Sequence, residues 1–566
     1  MNIKFMKRPL ICAFFILCLF FLTNCDSNND KGDKKGGILS IFKKKIGTEY
    51  TDSSSIDSII NLHKELIDNK IKVRNFYQKR NYELAWSEHG EFLPQADMMV
   101  NMVHNVRAHG VKPFSDPNLR QLFREIEYAK KPRKEVMVRK RKAMDVLLTA
   151  LYFEYAEEIW KGKISHEDKL GWHIDRKRIQ EGRTLEAILA TDQKNVDNPF
   201  LQYEPLYPEY NNLKKQLNEY VLIKNQGGWP IIHVDNNVSF KSGDTSQAIF
   251  LLKKRLAISN DYRGKKIDNK YDPELEKSIR RFQRRHGLEI TGAIDHKTLH
   301  TLNVPVDERI KQIIVNMERW RWIPEKLSPD FVWVNIPEFK LHVIEGNKEI
   351  WNMDVIVGKA ATSTPIFNDE IEYIVFSPSW NIPEKIAVEE IVPIIKGDST
   401  YLVEQQMEIL QNNKPIDPHT IDWNNIREEE LRKYSFRQKP GERNALGNVK
   451  FLFPNEYDVY LHDTPSNYLF KKTERGFSHG CIRIAEPVKF AEYLLRNDST
   501  WTKEKILTAM NSETEKYVKL KMKEPVYIVY FTAWTEPDGT INFREDIYGH
   551  DKKLARVFFD DRSMLP

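Results

Sequence analysis

The residues best equipped for chemistry lie in one short run, Arg475-Gly476-Phe477-Ser478-His479-Gly480-Cys481-Ile482-Arg483-Ile484, with a second histidine upstream in Tyr460-Leu461-His462-Asp463. A thiol becomes a competent nucleophile when a neighbouring base takes its proton, and two imidazoles stand near Cys481 in the sequence. If Cys481 opens or ends a strand, residues two apart share a face, so His479, Cys481 and Arg483 point into one cleft. Gly480 bares the backbone beside the thiol, which makes the N–H groups of Gly480 and Cys481 candidates to hold a carbonyl oxygen as charge develops on it. Arg483 suits a bidentate carboxylate partner, with a structural salt bridge as the plainer use. Two blander readings take the same residues. One is a core cysteine among satisfied histidines. The other is zinc bound by His462, His479 and Cys481, but no Cys-x-x-Cys pair supports it, and an activated thiol needs neither metal nor cofactor.

The cysteine count sharpens this reading. Residues 1–24 begin with Lys4, Lys7 and Arg8 and continue with the apolar run Ile11 to Leu22, too short for the ~20 residues of a spanning helix and therefore an export signal. Its end, Leu22-Thr23-Asn24-Cys25, resembles a bacterial lipoprotein signal, which implies lipidation at Cys25. Of four cysteines, Cys12 and Cys18 leave with the signal, so the mature chain keeps one free thiol, Cys481. Export exposes an unpaired thiol to oxidation, so its retention calls for a use. Residues 25–48, rich in Asn, Asp, Lys and Gly, read as a flexible tether.

The rest must position these groups. The 566 residues allow several domains, at ~100 to 200 residues each. With 41% hydrophobic and 30% charged residues and a mean hydropathy of −0.57, the chain is neither disordered nor a multi-span membrane protein. The formal charge is +6, and Lys4, Lys7 and Arg8 of the signal supply three of those charges. A balance so close to neutral gives no case for a nucleic-acid partner, and Arg133 to Lys142 reads as a solvated helix face. Residues 49–235 show helical spacing and no reactive cluster, as expected of a scaffold. Residues 240–305 hold three helical patterns punctuated by Gly287 and Gly292. From Phe331 short strand patterns follow one another, broken by a helical, charged stretch at 384–441 that reads either as a lid over the cleft or as a peripheral decoration. The fold class expected is multidomain α+β: a helical scaffold, a small three-helix module, and a β-rich domain at 329–535 with a helical capping insertion, followed by a C-terminal segment, 536–566.

Two resemblances give these parts names. Leu252, Leu256, Tyr271-Asp272, Phe282-Gln283-Arg284-Arg285-His286-Gly287-Leu288, Thr291-Gly292, Thr298 and Leu302-Asn303 make 240–305 similar to the peptidoglycan-binding type 1 domain. His462, then Ser478-His479-Gly480-Cys481 and Arg483, with Val357-Gly358-Lys359, Thr364-Pro365-Ile366-Phe367 and Ser379-Trp380-Asn381-Ile382-Pro383, resemble the YkuD-like catalytic domain of L,D-transpeptidases. The helical first half, Arg319-Trp320-Arg321-Trp322-Ile323-Pro324 and Gln438-Lys439-Pro440-Gly441 resemble its large periplasmic members.

The resemblance implies a bacterial envelope protein, periplasmic and lipid-anchored to a membrane, acting on the stem peptides of peptidoglycan. It implies attack by Cys481 on the third residue of a stem, loss of the terminal D-alanine, and a thioester resolved by an amine of a second stem as a 3→3 cross-link. His462 is then the expected base and His479 the group that steadies charge, with the reverse assignment open. Ser478, Tyr460, Trp380, Asn381 and Arg483 are expected to contact substrate, and carbapenems to acylate the thiol. An L,D-carboxypeptidase, or a catalytically inactive wall-anchoring lipoprotein, are the alternatives.

Overall fold

Apolar side chains three and four residues apart give each N-terminal helix a buried stripe, and the longest, Lys134–Tyr155, sends Leu147, Leu148 and Leu151 into a core with Ile56, Phe76, Trp86, Val100 and Phe200. The computed structural model describes residues 48–559 apart from 114–123, 125–133, 165–170, 177, 193–196, 206, 234–239, 241 and 399. The expected signal 1–24, the Cys25 lipid site, residues 25–47 of the tether and residues 560–566 lie outside the described residues. No helix of the described residues is long and apolar enough to cross a membrane.

Between Ser246 and Leu302 three helices, Gln247–Ile258, Pro273–Arg285 and His296–Leu302, pack around Leu252, Leu256, Leu275, Ile279 and the fully buried Phe282. Each begins at a residue whose side chain accepts from the first turn: Ser246 from Ile249 N, Asp272 from Leu275 N and Asp295 from Thr298 N. Gly287 follows the second helix at φ +66°, a left-handed position where glycine carries no Cβ penalty.

Helix Val306–Trp322 is the strut that ties the parts together. Glu318 and Arg321 form an ion pair at 2.6 Å with both side chains fully buried. Burying two charges is tolerable only when their remaining hydrogen-bonding capacity is met. Arg321 Nη2 donates to His109 O at 2.7 Å and to Tyr210 Oη at 3.1 Å, while Glu318 Oε1 accepts from Ile164 N at 3.1 Å and Trp322 Nε1 at 3.2 Å. Helix Pro208–Asn225, which sequence spacing groups with the scaffold, packs its Tyr210, Leu213 and Leu217 into the same core as this strut and the β domain.

The β domain consists of β1 (Phe331–Asn335), β2 (Lys340–Glu345), β3 (Lys348–Gly358), β4 (Ile366–Phe376), then the insertion strands β5 (Trp380–Ile382), β6 (Met407–Gln411), β7 (Lys414–Ile416) and β8 (Tyr434–Gln438), and finally β9 (Val449–Leu452), β10 (Leu461–His462), β11 (Gly476–Ser478), β12 (Ile482–Ile484) and β13 (Lys516–Val529). The ladder runs β9-β10-β12-β3-β2-β1-β13-β4, and β4 pairs with β9 again, so the sheet closes on itself. Closure removes free edges. The scaffold adds Trp172–His173 alongside β4, and β11 docks on β3.

The insertion departs from the helical expectation. It holds short helices but also a four-stranded sheet in the order β7-β6-β8-β5, with its own core of Ile382, Ile391, Ile409 and Phe436. The hairpin turn is Asn412-Asn413, both at positive φ, +51° and +62°, a pair that favours a tight two-residue hairpin. Helix His550–Phe559 of the C-terminal segment buries Leu554 and Phe558 in the β-domain core.

Substituting Arg321→Ala leaves Glu318 charged and buried without its partner, which typically costs about 3 to 5 kcal/mol. The expected outcome is a clear fall in the denaturation midpoint, whereas Lys311→Ala at an exposed pair of the same helix leaves it nearly unchanged.

Candidate active site

β10 and β12 run parallel with Leu461 opposite Ile482 and His462 opposite Arg483, and Ile482 N donates to Tyr460 O at 3.1 Å. Leu461, Ile482 and Ile484 are fully buried in the core. Alternation along a strand then turns Tyr460, His462, Cys481 and Arg483 to the opposite face together.

Cys481 is half-buried, and its Sγ lies 3.6 Å from Asp458 O. Burial pushes its thiol above the ordinary value; hydrogen bonds from Tyr460 pull it back, the Asp458 charge adds to the rise and Arg483 opposes it. Tyr460, an expected substrate contact, is near enough to Cys481 that burial and the Cys481 charge together raise its phenol far above the usual range.

His462 is 5% exposed, and its Nδ1 lies 2.6 Å from Asp463 O. A carbonyl can only accept, so Nδ1 carries the proton and Nε2 keeps a lone pair. Burial, then the Arg483 charge, hold this imidazole down to about 3, so it is neutral throughout the physiological range.

Arg483 is half-buried, its Nε is sealed from solvent without a hydrogen-bond partner, and among the described residues no carboxylate pairs with it. The alternative of a structural salt bridge thus finds no support. Burial lowers its guanidinium below the ordinary value, opposed by Cys481 and Tyr468.

The turn before the thiol is braced from within. Ser478 is 2% exposed; its Oγ donates to Cys481 O at 2.5 Å and accepts from Gly480 N at 3.1 Å. Two expectations are corrected here. Ser478 is a brace rather than a substrate contact, and the Gly480 N–H is already engaged, leaving the Cys481 amide as the remaining donor of the expected pair. Gly480 sits at φ +124°, and an added Cβ would meet nothing within 4 Å, so backbone conformation alone demands glycine and the space beside it is open.

A second brace comes from Thr364, whose Oγ1 donates to Gly480 O at 2.8 Å and accepts from Gly358 N at 2.9 Å. Gly358 admits no side chain, because a Cβ there would lie 2.2 Å from Thr362 O. Tyr548, from the C-terminal segment, donates to Gly358 O at 2.6 Å. Sequence reasoning quoted Thr364 and Gly358 without a role and missed Tyr548, whose partners are 190 residues away or nearly so.

His479 is engaged by the insertion. Its Nε2 lies 2.7 Å from Glu390 Oε1 in the insertion and 3.3 Å from Lys359 Nζ. Trp380 packs half-buried against the insertion's own core, and Asn381 lies exposed on β5 opposite Arg437. No described contact links either to Cys481. Among the described residues no group of three or more His, Cys, Asp or Glu side chains could hold a metal ion.

Residues 329–528 match the YkuD L,D-transpeptidase catalytic domain, residues 71–217 a scaffold domain and residues 245–302 a peptidoglycan binding domain. Residues 329–528 are thus a YkuD-type L,D-transpeptidase catalytic domain. A Haemophilus influenzae protein named "Putative L,D-transpeptidase" is 34% identical over 253 residues, which cover 44% of this chain and 50% of that one. The chain therefore matches half the length of this relative. A solved L,D-transpeptidase from Stackebrandtia nassauensis is 16% identical with a TM-score of 0.21, covering 52% of this chain and 97% of its own. Another from Xylanimonas cellulosilytica is 11% identical with a TM-score of 0.18, covering 52% and 100%. Superpositions that poor carry no weight beside the braced YkuD turn.

Thr364→Val removes the donor to Gly480 O and leaves two backbone groups without it, an expected loss of about 1 to 3 kcal/mol. Because burial raises the Cys481 thiol, less thiolate is present at neutral pH than in free cysteine. Alkylation by a neutral haloacetamide is expected to rise through a higher pH range than for the free amino acid, measured by intact mass against time.

Proposed function

We propose that this protein is a cysteine-dependent L,D-transpeptidase that forms 3→3 cross-links between peptidoglycan stems. The observation that carries the proposal is the shared face of Cys481, His462 and Arg483, with an unpaired guanidinium beside a thiol and a neutral imidazole. A thiol held above its ordinary value is not a standing thiolate, so a base must take its proton during attack. His462 suits that task better than His479: its Nδ1 proton is tied to Asp463 O, which leaves Nε2 as the acceptor.

Sulfur then bonds to the carbonyl carbon of the third stem residue. The C–N bond to the terminal D-alanine breaks, and the proton held on His462 passes to the departing amine. The developing oxyanion is met by the Cys481 amide, and Arg483 holds a carboxylate of the stem through a paired fork of N–H groups. In the second half the side-chain amine of another stem bonds to the same carbon and gives its proton to His462, the C–S bond breaks, and His462 passes that proton to sulfur. The thioester conserves the energy of the cleaved peptide bond, so no nucleotide is consumed. The peptidoglycan binding domain supports a wall substrate. We place the protein in the periplasm, held to a membrane by a lipid on Cys25.

Purified full chain incubated with tetrapeptide muropeptides is expected to yield cross-linked dimers and free D-alanine by mass spectrometry. Both vanish in Cys481→Ala, and His462→Ala lowers turnover by roughly 10²-fold or more. Tripeptide without dimers would instead indicate a carboxypeptidase, and retained wall binding without turnover an anchor. A carbapenem is expected to add one adduct, at Cys481 alone.

A further inference from the structure

One ring nitrogen of the site has two rival partners. His479 Nε2 lies 2.7 Å from Glu390 Oε1 and 3.3 Å from Lys359 Nζ. A carboxylate only accepts and an ammonium only donates, so the two cannot bond the same nitrogen in the same state. Facing Glu390, Nε2 carries a proton; facing Lys359, it offers a lone pair and the proton moves to Nδ1. The shorter contact belongs to Glu390, so the arrangement here is the Nε2–H form. Lys359 is then left as an ammonium at the edge of the cleft, and among the described residues no carboxylate forms an ion pair with it.

The two rivals come from different parts of the fold. Lys359 directly follows β3, and its backbone N donates to Ser478 O at 2.9 Å, so it is fastened to the thiol turn. Glu390 lies on the π-helical turn Ala387–Ile391 of the insertion, a distortion often found at functional sites. Tyr401, also in the insertion, is the further titratable group beside Glu390, which raises its phenol after burial does. The Glu390 and His479 side chains are 46% and 34% exposed. An ion pair so open to water adds little stability.

We propose that Glu390 is a positioning residue supplied by the insertion: it selects the Nε2–H form of His479, turns Nδ1 into the acceptor, and frees Lys359 to meet an anionic group of the substrate. The active site is incomplete without the insertion, and this inference rests on the transpeptidase reading only for what the substrate is. No bond is made or broken beyond the shift of one proton between ring nitrogens, exchanged through water.

The test uses the full chain with ¹⁵N-labelled histidine, with the His479 resonances assigned by loss in His479→Gln. In Glu390→Ala, Nε2 is expected to change from protonated to unprotonated type as Lys359 takes over. Glu390→Gln, whose carbonyl still accepts, retains the Nε2–H form. kcat for D-alanine release is expected to fall roughly tenfold in Glu390→Ala with KM within about twofold, and to recover largely in Glu390→Gln. The haloacetamide alkylation of Cys481, measured in parallel, shows that the variants keep a folded site. An Nε2–H form that persists in Glu390→Ala, with kcat unchanged, overturns the proposal. If wild type alkylates but releases no D-alanine, the transpeptidase reading fails, and the tautomer in Glu390→Ala alone decides for or against Glu390.

Discussion

Leu461 opposite Ile482 and His462 opposite Arg483 is a parallel register of only two residues, yet the site depends on it. A slip of one residue would send Leu461 and Ile482 to the open face and Cys481 and His462 into the core. The core holds the register, because Leu461, Ile482 and Ile484 are buried among Val355, Val357, Phe451 and Phe490. Chemistry on one face is thus guaranteed by hydrophobic packing on the other.

The thiol turn adds a second constraint. The turn that carries the thiol between strands needs a conformation that strands do not provide, and Gly480 at φ +124° supplies it. Three hydroxyls hold the turn: Ser478 from inside, Thr364 from the neighbouring loop, and Tyr548 through Gly358. They come from three separate stretches of chain, so the turn is braced before any substrate arrives, as electrostatic catalysis requires.

Two arginines of this protein differ in whether a carboxylate faces them. Glu318 and Arg321 in the strut satisfy one another and four further groups. Arg483, half-buried beside the thiol, retains an Nε without a partner. Arg321 also leaves its Nε without a hydrogen bond, so what separates the two arginines is the carboxylate that Arg321 has and that Arg483, among the described residues, lacks.

The shared face of Cys481 and Arg483 and the strand periodicity were legible because local spacing carries them: residues two apart on a strand share a face whatever the rest of the fold does. The three-helix module was equally legible, since its caps and glycines act within a few residues. The Asn412-Asn413 hairpin was legible in principle, but the charged residues around it mask the short strands of the insertion. What sequence left open was decided by contacts between distant segments. The 2.6 Å contact to Asp463 O fixes the His462 proton on Nδ1, the Glu390 contact turns His479 toward the insertion, and Ser478 and Gly480 spend their hydrogen bonds on each other. Spacing along a chain states which face a side chain takes; only the closed sheet states what faces it.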